Sequence, residues 1–387
     1  MRDNWTETTL GDVAEVNMGQ SPPGHTYNTE GIGMPFMQGS AEFGEHFPEP
    51  VKFCSAPAKI AEVGDLLLSV RAPVGDTNFA NQRIAIGRGL ATVRASAVSL
   101  TEFLRLVIQL NTAGLLATSG TGMFSSITGK NLKEFMILVP PIAEQKRIVD
   151  VVSSVDAYID ALQQQVDAAR TARDAVGEDA VNSGYPVAKL SDIGRVVTGS
   201  TPPTKRLDYW EPEEVDFVTA GDFGAQLLIM TASRKVSRAG ANVSRLLSSH
   251  SVMQVCIGAT IGKVGYVSHE VVTNQQINSI VGLEELDAYF VALMLSTNEM
   301  QATIRDRAGT TTLPIISKSG WGELAIPWPD ISVRESISVL AKSIDEFISE
   351  TDKAVVEAKN LRSGLLSDLL SGEHEIPVSY DDLLGAA

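Results

Sequence analysis

Gly258–Val264 reads GATIGKV, a glycine-bracketed turn next to a lysine. These are the residue types with which a phosphate loop cradles an anion. The spacing is wrong for that chemistry, because three residues rather than four separate the glycines. Val264 also stands where a Ser or Thr would hold Mg²⁺. The related stretch RAPVGDT (Arg71–Thr77) lacks the lysine altogether, so both read as strand–turn–strand elements. Other chemistries fail in similar ways. The five histidines, His25, His46, His250, His269 and His374, are scattered, with none at metal-ligand spacing. Cys54 and Cys256 read as packing residues. No nucleophile elbow is present, and no Asn-Pro-Pro-aromatic motif of the kind used for amino-methylation. No catalytic residue, metal or cofactor is expected.

The elements that must position any site come in two copies. LGDVAEVNMGQSPP (Leu10–Pro23) aligns without a gap on LSDIGRVVTGSTPP (Leu190–Pro203). Ser69–Thr77 aligns on Cys256–Val264, and Leu132–Ile142 on Trp321–Ile331. Three collinear blocks mean that a whole unit is duplicated. Each unit carries short β-like runs (GDLLLSV and EFMILVP, then VDFVTAG and SVMQVCI) broken by glycine turns, as in an α+β domain with a curved, mostly antiparallel sheet. SPP and TPP are expected to be turns after a first strand, with the hydroxyl closing the turn.

After each globular part the texture changes. Ile148, Val152, Val155, Ile159, Leu162, Val166 and Ala169 follow an unbroken 4,3 spacing. Ile337, Ala341, Ile344, Ile348, Thr351, Val355 and Ala358 repeat it, with Thr351 the one polar member. The register continues to Val176 and Ala180 in the first copy and to Leu365 and Leu369 in the second. A strict 3.5-residue period makes a narrow seam that must meet another helix. At 1.5 Å per residue, 148–180 spans roughly 50 Å. Gly184 and Pro186 follow the first helix, and Gly372 and Pro377 the second, as stop signals. The expected layout is globular domains at 1–141 and 183–330, helices at 142–182 and 331–372, and a tail at 373–387.

The 387 residues carry a net charge of −16, which speaks against non-specific coating of nucleic acid. No apolar run reaches membrane-span length, and MRDNWTETTL has no signal-like stretch. With only two cysteines, a reduced, cytoplasmic setting is expected.

This architecture resembles the specificity (S) subunit of type I restriction-modification systems over essentially the whole chain. The likeness rests on the repeated L-x-D-[VI]-x-x-[VI]…G-x-[ST]-P-P block and on the mid-domain APVG and ATIG. It rests also on VPPIAEQKRIV (Val139–Val149), close to the family's usual lead-in to its helical spacer, and on the terminal LRSGLLSDLLSGE. The second lead-in, PWPDISVRESI, departs from the pattern, with Val333 and Arg334 where Glu144 and Gln145 stand. The resemblance implies two target recognition domains, each reading half of a split site on double-stranded DNA, and two helices packed as an antiparallel coiled-coil spacer. It implies two methyltransferase (M) subunits and motor-nuclease (R) subunits as partners, and no catalysis by the chain itself.

Base reading needs Arg, Lys, Gln and similar groups on loops. In the first domain Arg71, Arg83, Arg88 and Lys130 are candidates, and in the second Lys205, Arg206, Lys263, Gln275 and Lys318. Much of the acidity falls on the helices, which need not face DNA. Two other readings compete. A homodimeric coiled-coil scaffold would pair its heptads between chains, but two equal helices after two equal domains can satisfy each other internally. A stand-alone methyltransferase or nuclease lacks its motifs.

Overall fold

The computed structural model describes residues 4–45, 47–117, 126–309 and 313–384. It divides into two units, Met1–Ala161 with Val355–Ala387, and Leu162–Ala354. Each unit takes part of both long helices, Ile142–Asn182 and Ile331–Leu370.

In the first unit, Thr6–Thr9 pairs antiparallel with Met136–Val139. A four-stranded antiparallel sheet runs in the order Ala14–Met18, Leu90–Ala95, Leu66–Ser69, Thr77–Phe79. A five-stranded sheet of short strands includes a parallel pair, Met34–Met37 with Ile84–Ile86. The second unit repeats the plan. Val187–Lys189 pairs with Ala325–Pro327. Arg195–Thr198, Ile277–Val281, Val252–Val255 and Val264–Tyr266 form the four-stranded sheet. Val215–Val218 runs parallel to Val271–Thr273 in a third sheet. Among the described residues, the single curved sheet expected from sequence is therefore three small sheets per unit. The reason is local: strands of two to six residues broken by glycine turns cannot extend one continuous ladder.

The 256–263 stretch joins Val252–Val255 to Val264–Tyr266, a strand–turn–strand element as its spacing indicates. The double-proline turns differ from expectation in position, since each follows the second strand of its unit (Ala14–Met18; Arg195–Thr198) rather than the first.

The seam has a physical basis in both units. In the first, Ile148 and Val152 are 1% exposed and join one core with Leu366, Leu369 and Leu370. Asp156 accepts from Arg362 across the pair, and Arg147 bridges Asp381 at 3.0 Å. In the second, Leu162, Val166, Ile348 and Ala341 are buried, and Ala180 and Ala341 share a core. Arg170–Asp352 and Arg173–Asp345, both 3.1 Å, descend one helix as they ascend the other, so the helices are antiparallel. Asp345 also accepts from Tyr289 at 2.7 Å, and burial pushes that phenol's pKa up. Ile159 and Val355 are buried, whereas Val155, Ile337 and Ile344 are half-buried. Beyond the helix ends, Gly184 and Gly372 take positive φ (+68° and +73°), which a side chain would resist.

The two helix starts are anchored by different residues doing one job. Gln145, fully buried, uses its whole amide. Its Oε1 accepts from Ser99 Oγ (3.2 Å) and Leu100 N (2.9 Å), and its Nε2 donates to Val98 O (3.0 Å) and Pro140 O (2.8 Å). Arg334 stands at the matching position. It donates to Pro329 O at 2.6 Å, pairs with Asp287 at 2.8 Å, and lies 4.0 Å over the Trp328 ring. The departure of the second lead-in from the first thus replaces a neutral clamp with an ionic one. Replacing Gln145 with alanine leaves the buried Pro140 carbonyl and Ser99 hydroxyl without this partner, each at about 1–3 kcal/mol. Denaturant unfolding is expected to show a loss of roughly 2–4 kcal/mol. A loss below about 0.5 kcal/mol, typical of an uninvolved surface site, would contradict the clamp.

Among the described residues no helix is long and apolar enough to cross a membrane.

Candidate nucleic-acid interface

The repeated glycine and hydroxyl of the double-proline turns build the same small structure twice. In the first unit, Gly87–Leu90 is a tight turn closed by Leu90 N to Gly87 O at 3.1 Å, with Arg88 exposed at its second position. Gly19 seats it. Its N–H donates to Leu90 O at 2.8 Å, and a Cβ there would fall 2.2 Å from Gly87 O. In the second unit Asn274–Ile277 is the corresponding turn, closed by Ile277 N to Asn274 O at 3.3 Å, with Gln275 exposed at its second position. Gly199 donates to Ile277 O at 3.0 Å, and a Cβ on it would fall 2.1 Å from Asn274 O. Only glycine allows either approach.

The hydroxyls reach the same turns. Ser21 Oγ accepts from Arg88 Nε at 3.1 Å and from Gln38 Nε2 at 2.8 Å. Thr201 Oγ1 donates to Gln275 Oε1 at 2.8 Å. They were expected to close their own turns. They orient instead the side chains on a neighbouring loop, because strand pairing brings that loop alongside.

The remaining candidates scatter. Arg71 is held through its backbone, bridging Ser126 and accepting from Ser69 Oγ at 2.9 Å, and among the described residues Arg71, Lys205 and Lys318 have no side-chain hydrogen bond or ion pair. Arg83 pairs with Glu62 at 3.1 Å on the surface, and Lys130 lies 3.8 Å from Glu134. Arg206 is held by Asp208 through two hydrogen bonds, which raise its pKa, and lies 4.6 Å over the Tyr209 ring. Lys263 donates to Phe223 O at 3.2 Å. The structure adds residues that sequence reasoning passed over. Arg245 donates to Thr198 O at 2.6 Å and, through its backbone, to Ser200 Oγ, so it packs on the TPP turn itself. Arg234 lies 4.4 Å over the Trp210 ring. No local signal marks either one, since their partners are distant in sequence.

Acid groups are partly accounted for as well. Asp156, Asp345 and Asp352, three of the helix carboxylates, pair with arginines of the facing helix. His269 bonds the buried Asp216 at 2.7 Å, and His46 lies outside the described residues. Among the described residues no group of three or more His, Cys, Asp or Glu could hold a metal. Both cysteines are buried, and burial pushes the Cys256 thiol up to about 12.

A family model, "Type I restriction modification DNA specificity domain", matches the chain twice, over residues 2–169 and 182–358. A Methanocaldococcus jannaschii protein named as the MjaX type I restriction enzyme specificity subunit is 38% identical over 161 residues, 41% of this chain and 38% of that protein. The HindI type I restriction enzyme specificity subunit of Haemophilus influenzae is 31% identical over 200 residues, 50% of this chain and 42% of that protein. The chain thus aligns with less than half the length of each of these relatives. Among solved structures, a type I restriction-modification S subunit from M. genitalium is similar with a TM-score of 0.60 at 14% identity, covering 96% of this chain and 97% of that one. A chain from a structural study of assembly and conformational transition in a type I R-M system gives 0.62 at 16% identity, covering 97% and 99%. At such identities the likeness is one of fold.

Proposed function

Because the chain belongs to the type I restriction modification DNA specificity family, we propose that it is the non-catalytic sequence-specificity subunit of a type I restriction-modification complex. Residues 1–141 and 183–330 are then the target recognition domains, each reading one half of a bipartite site on double-stranded DNA. Residues 142–182 and 331–372 are the spacer that sets the gap, and 373–387 a tail. Two M subunits and the R subunits are its partners, in a cytoplasmic setting. The observation that carries this reading is the duplication of a whole unit, down to the seated turn that presents Arg88 in one copy and Gln275 in the other.

The charge balance fits. At −16 overall, the chain has few cations to spend on phosphates, so neutralisation of DNA falls largely to partner subunits, and the chain's own binding depends only modestly on salt. The test is a gel shift of the full chain on duplexes carrying a split site, with and without methyltransferase subunits. Specific retention that strengthens with the methyltransferase supports the reading. Failure to discriminate any sequence in either condition would refute it and favour the scaffold alternative.

A further inference from the structure

The two seated turns occupy equivalent places, yet they present different side chains, one an arginine and the other a glutamine. Resting on the specificity-subunit reading, we infer that Arg88 and Gln275 are paired base-reading residues, Arg88 for a guanine in one half-site and Gln275 for an adenine in the other. The chemistry follows from what each side chain has left to offer. Arg88 uses its Nε–H on Ser21. Its two terminal amino groups have no partner among the described residues, and that fork matches O6 and N7 of guanine. Gln275 accepts from Thr201 with one lone pair of Oε1. The second lone pair and the Nε2 amino group are free to accept from N6 and donate to N7 of adenine. Both side chains are exposed at the tip of a turn packed directly on Gly19 or Gly199 and hydrogen-bonded to it. Ser21 and Thr201 are positioning residues. Each holds a reading side chain in one orientation and so lowers the ordering cost of the contact.

The family's general division of labour does not choose these two positions. The geometry does: among the nine basic and amide candidates, Arg88 and Gln275 alone are structurally equivalent, fixed by a repeated hydroxyl, and left with a complete bidentate face. Arg83 and Arg206 already spend theirs on carboxylates.

The test uses the full chain assembled with methyltransferase subunits. Competition binding is measured against duplexes carrying every single-base change in the recognised site. The unaltered chain comes first: if it discriminates no position, the specificity-subunit reading itself fails. If it does discriminate, Arg88→Ala is expected to abolish a roughly ten- to hundred-fold preference at one guanine of one half-site. Preferences at all other positions should be kept. Gln275→Ala is expected to do the same at one adenine of the other half. Ser21→Ala should weaken the Arg88-dependent preference by a smaller factor and Thr201→Val the Gln275-dependent one. A uniform loss of affinity across all sequences would make Arg88 a phosphate contact and overturn the proposal. Unchanged preferences in both alanine variants would overturn it equally. Both positions are exposed, and thermal melting of each variant identifies any that has lost its fold, in which case Arg88→Met and Gln275→Met, which keep an unbranched stem but no bidentate hydrogen-bonding face, are read by the same criteria.

Discussion

Replacing Ile348 with aspartate is expected to lower the melting temperature of the chain by about 10 °C or more and to abolish methylation by the assembled complex. Ile348 is 3% exposed in the helix pair of its unit. A carboxylate there is buried without a partner, at a cost of several kcal/mol. For a unit of this size each kcal/mol corresponds to about 2–4 °C, and total stability is only about 5–15 kcal/mol. Ile159, 7% exposed in the other unit, is expected to behave alike. Val356 supplies the control. It is 58% exposed on the second helix, so Val356→Asp should leave the melting temperature of the free chain within about 2 °C, as surface changes do. Calorimetry on the three variants is the check. An Ile348→Asp chain that melts like the parent would mean that the seam is not what holds the helices.

The helices were the most legible part of the sequence, and physics explains why. A heptad repeat is written in one letter pattern, and its spacing alone fixes which face must be covered. The duplication was legible for the same reason, since collinear blocks need no knowledge of contacts. The strands were visible as runs such as VDFVTAG, but their division into three small sheets was not, because pairing is decided between segments far apart. The candidate site shows the limit most clearly. G-x-[ST]-P-P looked like two turns closed by their own hydroxyls. Ser21 in fact bonds Arg88, and Thr201 bonds Gln275, across spans of 67 and 74 residues. Local turn chemistry cannot reveal such partners. Only the register of Ala14–Met18 against Leu90–Ala95, and of Arg195–Thr198 against Ile277–Val281, sets them side by side. Arg334 teaches a related lesson. The sequence shows that it departs from Gln145 but not that it bonds Pro329 O as Gln145 bonds Pro140 O.

The second large effect concerns length. Inserting four residues after Gln163, with a matching turn in the second helix, is expected to widen the gap between the half-sites by one to two base pairs. One helical turn adds about 6 Å, against about 3.4 Å of rise per base pair, and a coiled coil absorbs a four-residue stutter. The half-site bases should stay the same. An insertion of two residues rotates the seam by roughly half a turn, exposes the apolar stripe and should abolish function. Methylation mapping of both variants is the check, and an unchanged gap in an active four-residue variant would assign the distance to the partner subunits.

The central claim is that two equivalent domains read DNA independently. Its most direct measurement is single-molecule methylome sequencing of a host carrying this chain, followed by the same host with residues 1–139 exchanged for the matching domain of a relative. The expected result is a split, adenine-methylated motif in the first case and, in the second, a motif with one half replaced and the other half and the gap retained. A continuous motif in the first case, or new bases in both halves in the second, would contradict the account.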